Sequence, residues 1–104
     1  GDVQGATVLL LDDLIASGET MLSAATALRH AGAKEVVALA AHGLFVGAAA
    51  KVLVDAHISR VIVTDSVPAF RLPAGGPVAT KLHVVSAAPL FAQAIRDSHT
   101  AWLR

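Results

Sequence analysis

The sequence predicts an α/β domain, a parallel sheet with helices on both faces in the order β-α-β-α-β-loop-β-α. Three observations predict it. Apolar runs of strand length, at 8–11, 35–42, 60–64 and 81–86, alternate with stretches whose apolar residues recur at helical spacing. These runs are apolar without a break, so neither face of a strand suits water, as in sheets covered by their crossover helices. The first run stops at two acids, and a loop of small residues then leads into a helix start, at the strand end where open parallel sheets gather ligands.

Composition sets the bounds. The 104 residues are expected to form a single domain, 1–104, and a 55% hydrophobic fraction with 15% charge excludes disorder. A mean hydropathy of +0.65 is high for so short a chain, so some apolar surface is expected to meet a partner. Eight basic and eight acidic residues cancel and no Lys/Arg cluster occurs, which argues against nucleic acid as a partner. No apolar run reaches the ~20 residues of a membrane span and no signal-peptide pattern opens the chain, so a cytoplasmic protein without a membrane partner is expected. With zero cysteines there is no disulfide, thiolate metal site or cysteine nucleophile. The five histidines lack paired spacing and are expected to be surface or structural residues rather than zinc ligands.

The first strand, Val8 to Leu11, ends at Asp12 and Asp13, and Leu14 to Thr20 form the loop. Successive backbone N–H groups there can curl around an anion at the start of the next helix, so a phosphate fits without a lysine. Ser17 and Thr20 add hydroxyl donors, and Gly18 permits close approach or positive φ. A carboxylate only accepts, so Asp12 and Asp13 suit two neighbouring sugar hydroxyls or an Mg2+ but repel a phosphate placed on them. Together these residues read as a ribose-phosphate site.

Met21, Ala25 and Leu28, widened by Leu22 and Ala24, stripe a helix that starts near Gly18 to Thr20 and stops at Gly32. Glu35 to His42 is a buried parallel strand, closed by His42-Gly43. Ala49, Ala50, Leu53 and Val54 suggest a short helix between Gly47 and His57. Arg60 to Thr64 is the third strand, and Thr64, Asp65 and Ser66 are expected on the same sheet edge as the Asp12 to Thr20 loop. From Pro68 to Thr80 the Pro, Gly and Ala content predicts a mobile surface loop, with Arg71 its one cation. Lys81 to Ser86 is a fourth strand. Pro89 opens a last helix through about Leu103, with Phe91, Ala94, Ile95, Ser98 and Trp102 on one face.

The run Asp12, Asp13, Ser17, Gly18, Thr20 resembles the phosphoribosyl-diphosphate (PRPP) loop of the type I phosphoribosyltransferase superfamily, which implies a phosphoribosyltransferase-like fold. Gly1-Asp2-Val3-x-Gly5, His42-Gly43, Thr64 to Pro68, and Pro89-Leu90-x-x-x-Ala94-Ile95 resemble one branch of it, the ribose-phosphate diphosphokinases or PRPP synthetases. That resemblance implies transfer of diphosphate from ATP to ribose 5-phosphate with Mg2+, giving PRPP and AMP for nucleotide biosynthesis. By analogy, Ala16, Ser17, Gly18, Glu19 and Thr20 hold the 5-phosphate, while Asp12 and Asp13 hold the ribose hydroxyls or Mg2+. It further implies that this chain is a C-terminal fragment of a longer, homo-oligomeric enzyme. The ATP pocket and basic catalytic loop would lie ahead of Gly1, so the fragment alone is expected to be inactive.

Two residues depart from the synthetase pattern. Ala16 stands where Asp is usual, as in adenine phosphoribosyltransferases, and keeps a PRPP-dependent transferase as an alternative. Glu19 stands where a small residue is usual, and its charge opposes a bound dianion. A synthetase-like regulatory module without catalysis is another alternative. A signalling receiver domain would also carry an Asp-Asp strand end, with Asp55, Thr64 and Lys81 in its other roles. Thr64 follows Asp55 too closely to leave room for the helix and strand that a receiver needs between them.

Overall fold

The computed structural model describes residues 1–73 and 75–103, Leu103 by its backbone only. The elements are β1 (Thr7–Ile15), α1 (Glu19–His30), β2 (Glu35–Gly43), α2 (Ala49–Val52), β3 (Arg60–Thr64), a 3-10 turn (Pro77–Thr80), β4 (Leu82–Val85) and α3 (Ala88–Leu103). The sheet is parallel throughout, in the order β1-β2-β3-β4. This is the expected α/β architecture.

Register sorts the side chains into two faces. Val8 lies beside Val36, Leu10 beside Ala38, and Ala38 and Ala40 beside Val61 and Val63. That face carries the core, where Met21 and Ala25 of α1, Ala49 of α2 and Leu53 just beyond it pack with Ile15, Phe45 and Ile58. Burying Val, Leu or Ile side chains as fully as these contributes about 1.5–3 kcal/mol each. On the opposite face Leu9 and Leu11 stay 56% and 78% exposed. The expected cover on both faces is therefore present on one, because α1 and α2 both return to the Val36 side.

Other departures are local. Strand β1 does not stop at Leu11 but runs on to Ile15, because pairing with β2 satisfies its backbone through Leu14 and Ile15. Helix α2 is a single turn, and the chain after Leu53 turns back through Asp55 instead of continuing to His57. Within the expected loop, Pro77 starts a 3-10 turn that buries Val78, so part of that segment is pinned to the core. Among the described residues the apolar side of α3 is left uncovered: Leu90, Phe91, Ile95 and Trp102 are all more than 60% exposed.

Candidate functional site

The site forms where β1 hands over to α1. Gly18 is the N-cap of α1, at φ 85°, a conformation that costs a side-chain-bearing residue about 1–2 kcal/mol. It is also buried, and a Cβ there would lie 2.7 Å from Leu53 Cδ2. Both the turn and the close approach require glycine. The Gly18 carbonyl accepts the Leu22 N–H at 2.9 Å, which starts the helix.

Among the described residues the N–H groups of Ser17, Gly18, Thr20 and Met21 find no acceptor, and the Glu19 N–H has only a long contact, 3.4 Å, to Ser17 Oγ. No side chain caps α1. These donors line a cavity of about 120 Å³ bounded by Asp12 and residues 14–21. Unpaired N–H groups at the positive end of a helix suit an anion. A brace keeps the loop in place, since the Ile15 carbonyl accepts the Leu44 N–H and the Ala16 carbonyl the Val46 N–H, both at 2.9 Å. Behind it Phe45, at φ 53° and fully packed, sets its ring against Gly43, where a Cβ would collide with it at 2.6 Å.

Each residue expected from sequence can now be placed. Ala16, Glu19 and Thr20 are exposed on the rim, Ser17 is half-buried, and Gly18 is buried in the floor. Glu19 is the first residue of α1, where an acid complements the helix dipole. Asp12 and Asp13 are exposed and belong to β1, which runs on past them to Ile15. Asp12 reaches the cavity, whereas Asp13, the next residue of the strand, is not part of its lining. Hydrogen bonding with the Asp13 side chain and with the Asp13 N–H, at 2.7 Å, holds the Asp12 carboxyl below its ordinary value.

The same sheet edge carries a second polar group. Thr64 Oγ1 donates to the Ala41 carbonyl at 2.6 Å, Ser66 Oγ lies 3.1 Å from the same carbonyl, and His42 Nδ1 lies 2.7 Å from Ser66 Oγ. Thr64 and Ser66 thus lie on the expected edge. Asp65 does not turn to a ligand: its Oδ1 accepts the Ala87 N–H at 2.8 Å and ties β3 to the entry of α3. Arg71 Nη1 donates to the Leu44 carbonyl at 3.3 Å, so the loop after β3 reaches the brace beside the cavity. Sequence reading missed the Leu44 to Val46 brace and the Leu53 wedge, because both are contacts between distant positions with no local pattern. Asp55 and Lys81 lie elsewhere, where Lys81 Nζ donates to the Asp55 and Ile58 carbonyls ahead of β3.

Comparison with known proteins places the chain in a family. The family model described as phosphoribosyl synthetase-associated domain matches residues 1–102. The chain belongs to that family. Ribose-phosphate pyrophosphokinase of Aquifex aeolicus is 41% identical over 96 residues, covering 92% of this chain and 29% of the relative. The Caldanaerobacter subterraneus enzyme of the same name is 42% identical over 99 residues, covering 95% and 30%. The crystal structure of phosphoribosylpyrophosphate synthetase from Mycobacterium smegmatis superposes with a TM-score of 0.80 at 38% identity, over 97% of this chain and 33% of that one. The chain therefore spans about a third of the length of the relatives it matches.

Proposed function

We propose that the chain is the ribose 5-phosphate and PRPP-binding part of a ribose-phosphate diphosphokinase, which transfers diphosphate from ATP to ribose 5-phosphate. The observation that carries this reading is the set of unpaired N–H groups of Ser17, Gly18, Thr20 and Met21, lining the same cavity as Asp12. The amides and the Thr20 hydroxyl bind the 5-phosphate, and the carboxylates accept from ribose hydroxyls. Keeping anion and carboxylates on adjacent but separate stretches avoids their repulsion.

The donor set also fits Mg2+, which takes one or two carboxylates and fills its remaining positions with water and phosphate oxygens. Asp12, the acid that reaches the cavity, would hold it, and it would neutralise charge on the transferred diphosphate. Among the described residues no group of three or more acids and histidines forms a fuller protein cage. ATP binds through residues outside this chain, so the fragment positions the acceptor sugar and does not catalyse alone.

Ala16 favours a second reading, a transferase that consumes PRPP, since it leaves the rim without a carboxylate at that point. Calorimetry of the chain with ribose 5-phosphate, PRPP and ATP tests both. Binding of the sugar phosphates without ATP is expected. ATP binding that ribose 5-phosphate does not displace would overturn the assignment.

A further inference from the structure

His42 ends β2 beside the cavity: the register pairs it with Leu14, which lines the cavity, and pairs Gly43 with Ile15. Its side chain is exposed, yet Nδ1 is held 2.7 Å from Ser66 Oγ. Ser66 is itself fixed by the Ala41 carbonyl at 3.1 Å and by Thr64 Oγ1 at 3.0 Å, and its N–H donates to Thr64 Oγ1 at 3.2 Å. An exposed ring held this way forgoes rotamer freedom without gaining burial.

Counting protons assigns the tautomer. Four side-chain contacts join His42, Ser66, Thr64 and the Ala41 carbonyl: His42 to Ser66, Ser66 to Thr64, and both hydroxyls to the carbonyl. The two hydroxyls supply one proton each, so a bare Nδ1 leaves two contacts without hydrogen, whereas an Nδ1–H leaves one. With that hydrogen on Nδ1, a neutral ring leaves Nε2 unprotonated, an acceptor with no partner among the described residues. Such a nitrogen recognises a hydroxyl and has nothing to give a phosphate.

We propose that His42 Nε2 accepts a hydrogen bond from a sugar hydroxyl of the ligand whose phosphate occupies the cradle at residues 16–21, and that Ser66 is the positioning residue that fixes its tautomer. This rests on the ribose-phosphate reading above. It gives the site a way to discriminate a sugar phosphate from free phosphate that the backbone amides lack.

Long-range proton–nitrogen NMR of the chain tests it without a variant. The free protein is expected to show His42 as the Nδ1–H tautomer. Titration with inorganic phosphate should shift the Ser17 and Thr20 amides alone, and ribose 5-phosphate should shift those amides and His42 Nε2. Amides that respond to both ligands while Nε2 responds to neither, or equally to both, overturn the proposal and leave the cradle standing. Amides that ignore ribose 5-phosphate remove the ribose-phosphate reading and this proposal with it. His42→Ala is expected to weaken ribose 5-phosphate about tenfold, the scale of one hydrogen bond, with phosphate affinity unchanged. His42→Gln, which keeps an acceptor near the Nε2 position, should recover part of the loss. An equal loss for both ligands would make His42 merely structural.

Discussion

Gly18 meets two demands at once, a left-handed φ and contact with Leu53. Gly18→Ala is expected to cost about 2–4 kcal/mol, from the αL penalty and overpacking together. Urea denaturation reads the loss, and adding Leu53→Ala should make the pair non-additive by relieving the overlap. A midpoint unmoved by Gly18→Ala would mean that the loop does not hold this conformation in solution. Thr20 and Glu19 test the ligand instead of the fold, since both are exposed on the rim. Thr20→Val should weaken ribose 5-phosphate by about 1–3 kcal/mol, the value of a hydrogen bond to a charged group. Glu19→Gln should tighten phosphate binding, most at low salt where the opposing charge is least screened. A fall in affinity would instead show that Glu19 stabilises the helix start the ligand needs.

At the scale of elements, the corner before β3 is held by Asp55, whose Oδ1 accepts the His57 N–H at 2.9 Å and lies 2.7 Å from His57 Nδ1. The backbone bond from His57, then its side chain, hold the Asp55 carboxyl below the ordinary 3.8. A depressed carboxylate pKa adds stability that is present above the unfolded value and is lost as pH falls through the folded one. Denaturation midpoints measured from about pH 5 down to about pH 3 should therefore fall, and Asp55→Asn should flatten that limb. Unchanged acid sensitivity would locate the titrating group elsewhere. Helix α3 behaves differently, because its apolar residues are exposed. Removing residues 88–104 should leave the stability of the monomeric core within about 1 kcal/mol, as for exposed positions generally.

Over the whole molecule, exposed apolar surface is the main unsatisfied feature. The bare sheet face holds an apolar depression of about 360 Å³ that includes Leu11, Leu39, Ile62 and Val85, and α3 adds Phe91 and Trp102. Contiguous apolar surface of this kind seldom stays in water on a stable monomer. The chain is expected to self-associate at micromolar concentration, with light scattering giving a mass above that of the monomer. Removing 88–104 should weaken that association if α3 is in the contact. A monomer mass independent of concentration would refute the interface.

The order of elements and the loop between β1 and α1 were legible because their causes are local: apolar run length, paired acids, a glycine before a hydroxyl, and helical spacing in α1. Even there the strand ran past its expected end, since pairing with β2 carries β1 through Leu14 and Ile15, beyond the two acids. Helical periodicity in α3 gave the helix and its apolar face but not what covers that face, because periodicity records only that a face is apolar. Asp65, expected on the same sheet edge as the loop, accepts the Ala87 N–H across 22 positions of chain. Residues 12–20 thus determined by themselves what chemistry the site can offer. Tertiary structure alone decided which groups are free to offer it, because whether Gly18 is wedged by Leu53, or His42 is oriented by Ser66, depends on contacts between distant segments that no local pattern encodes.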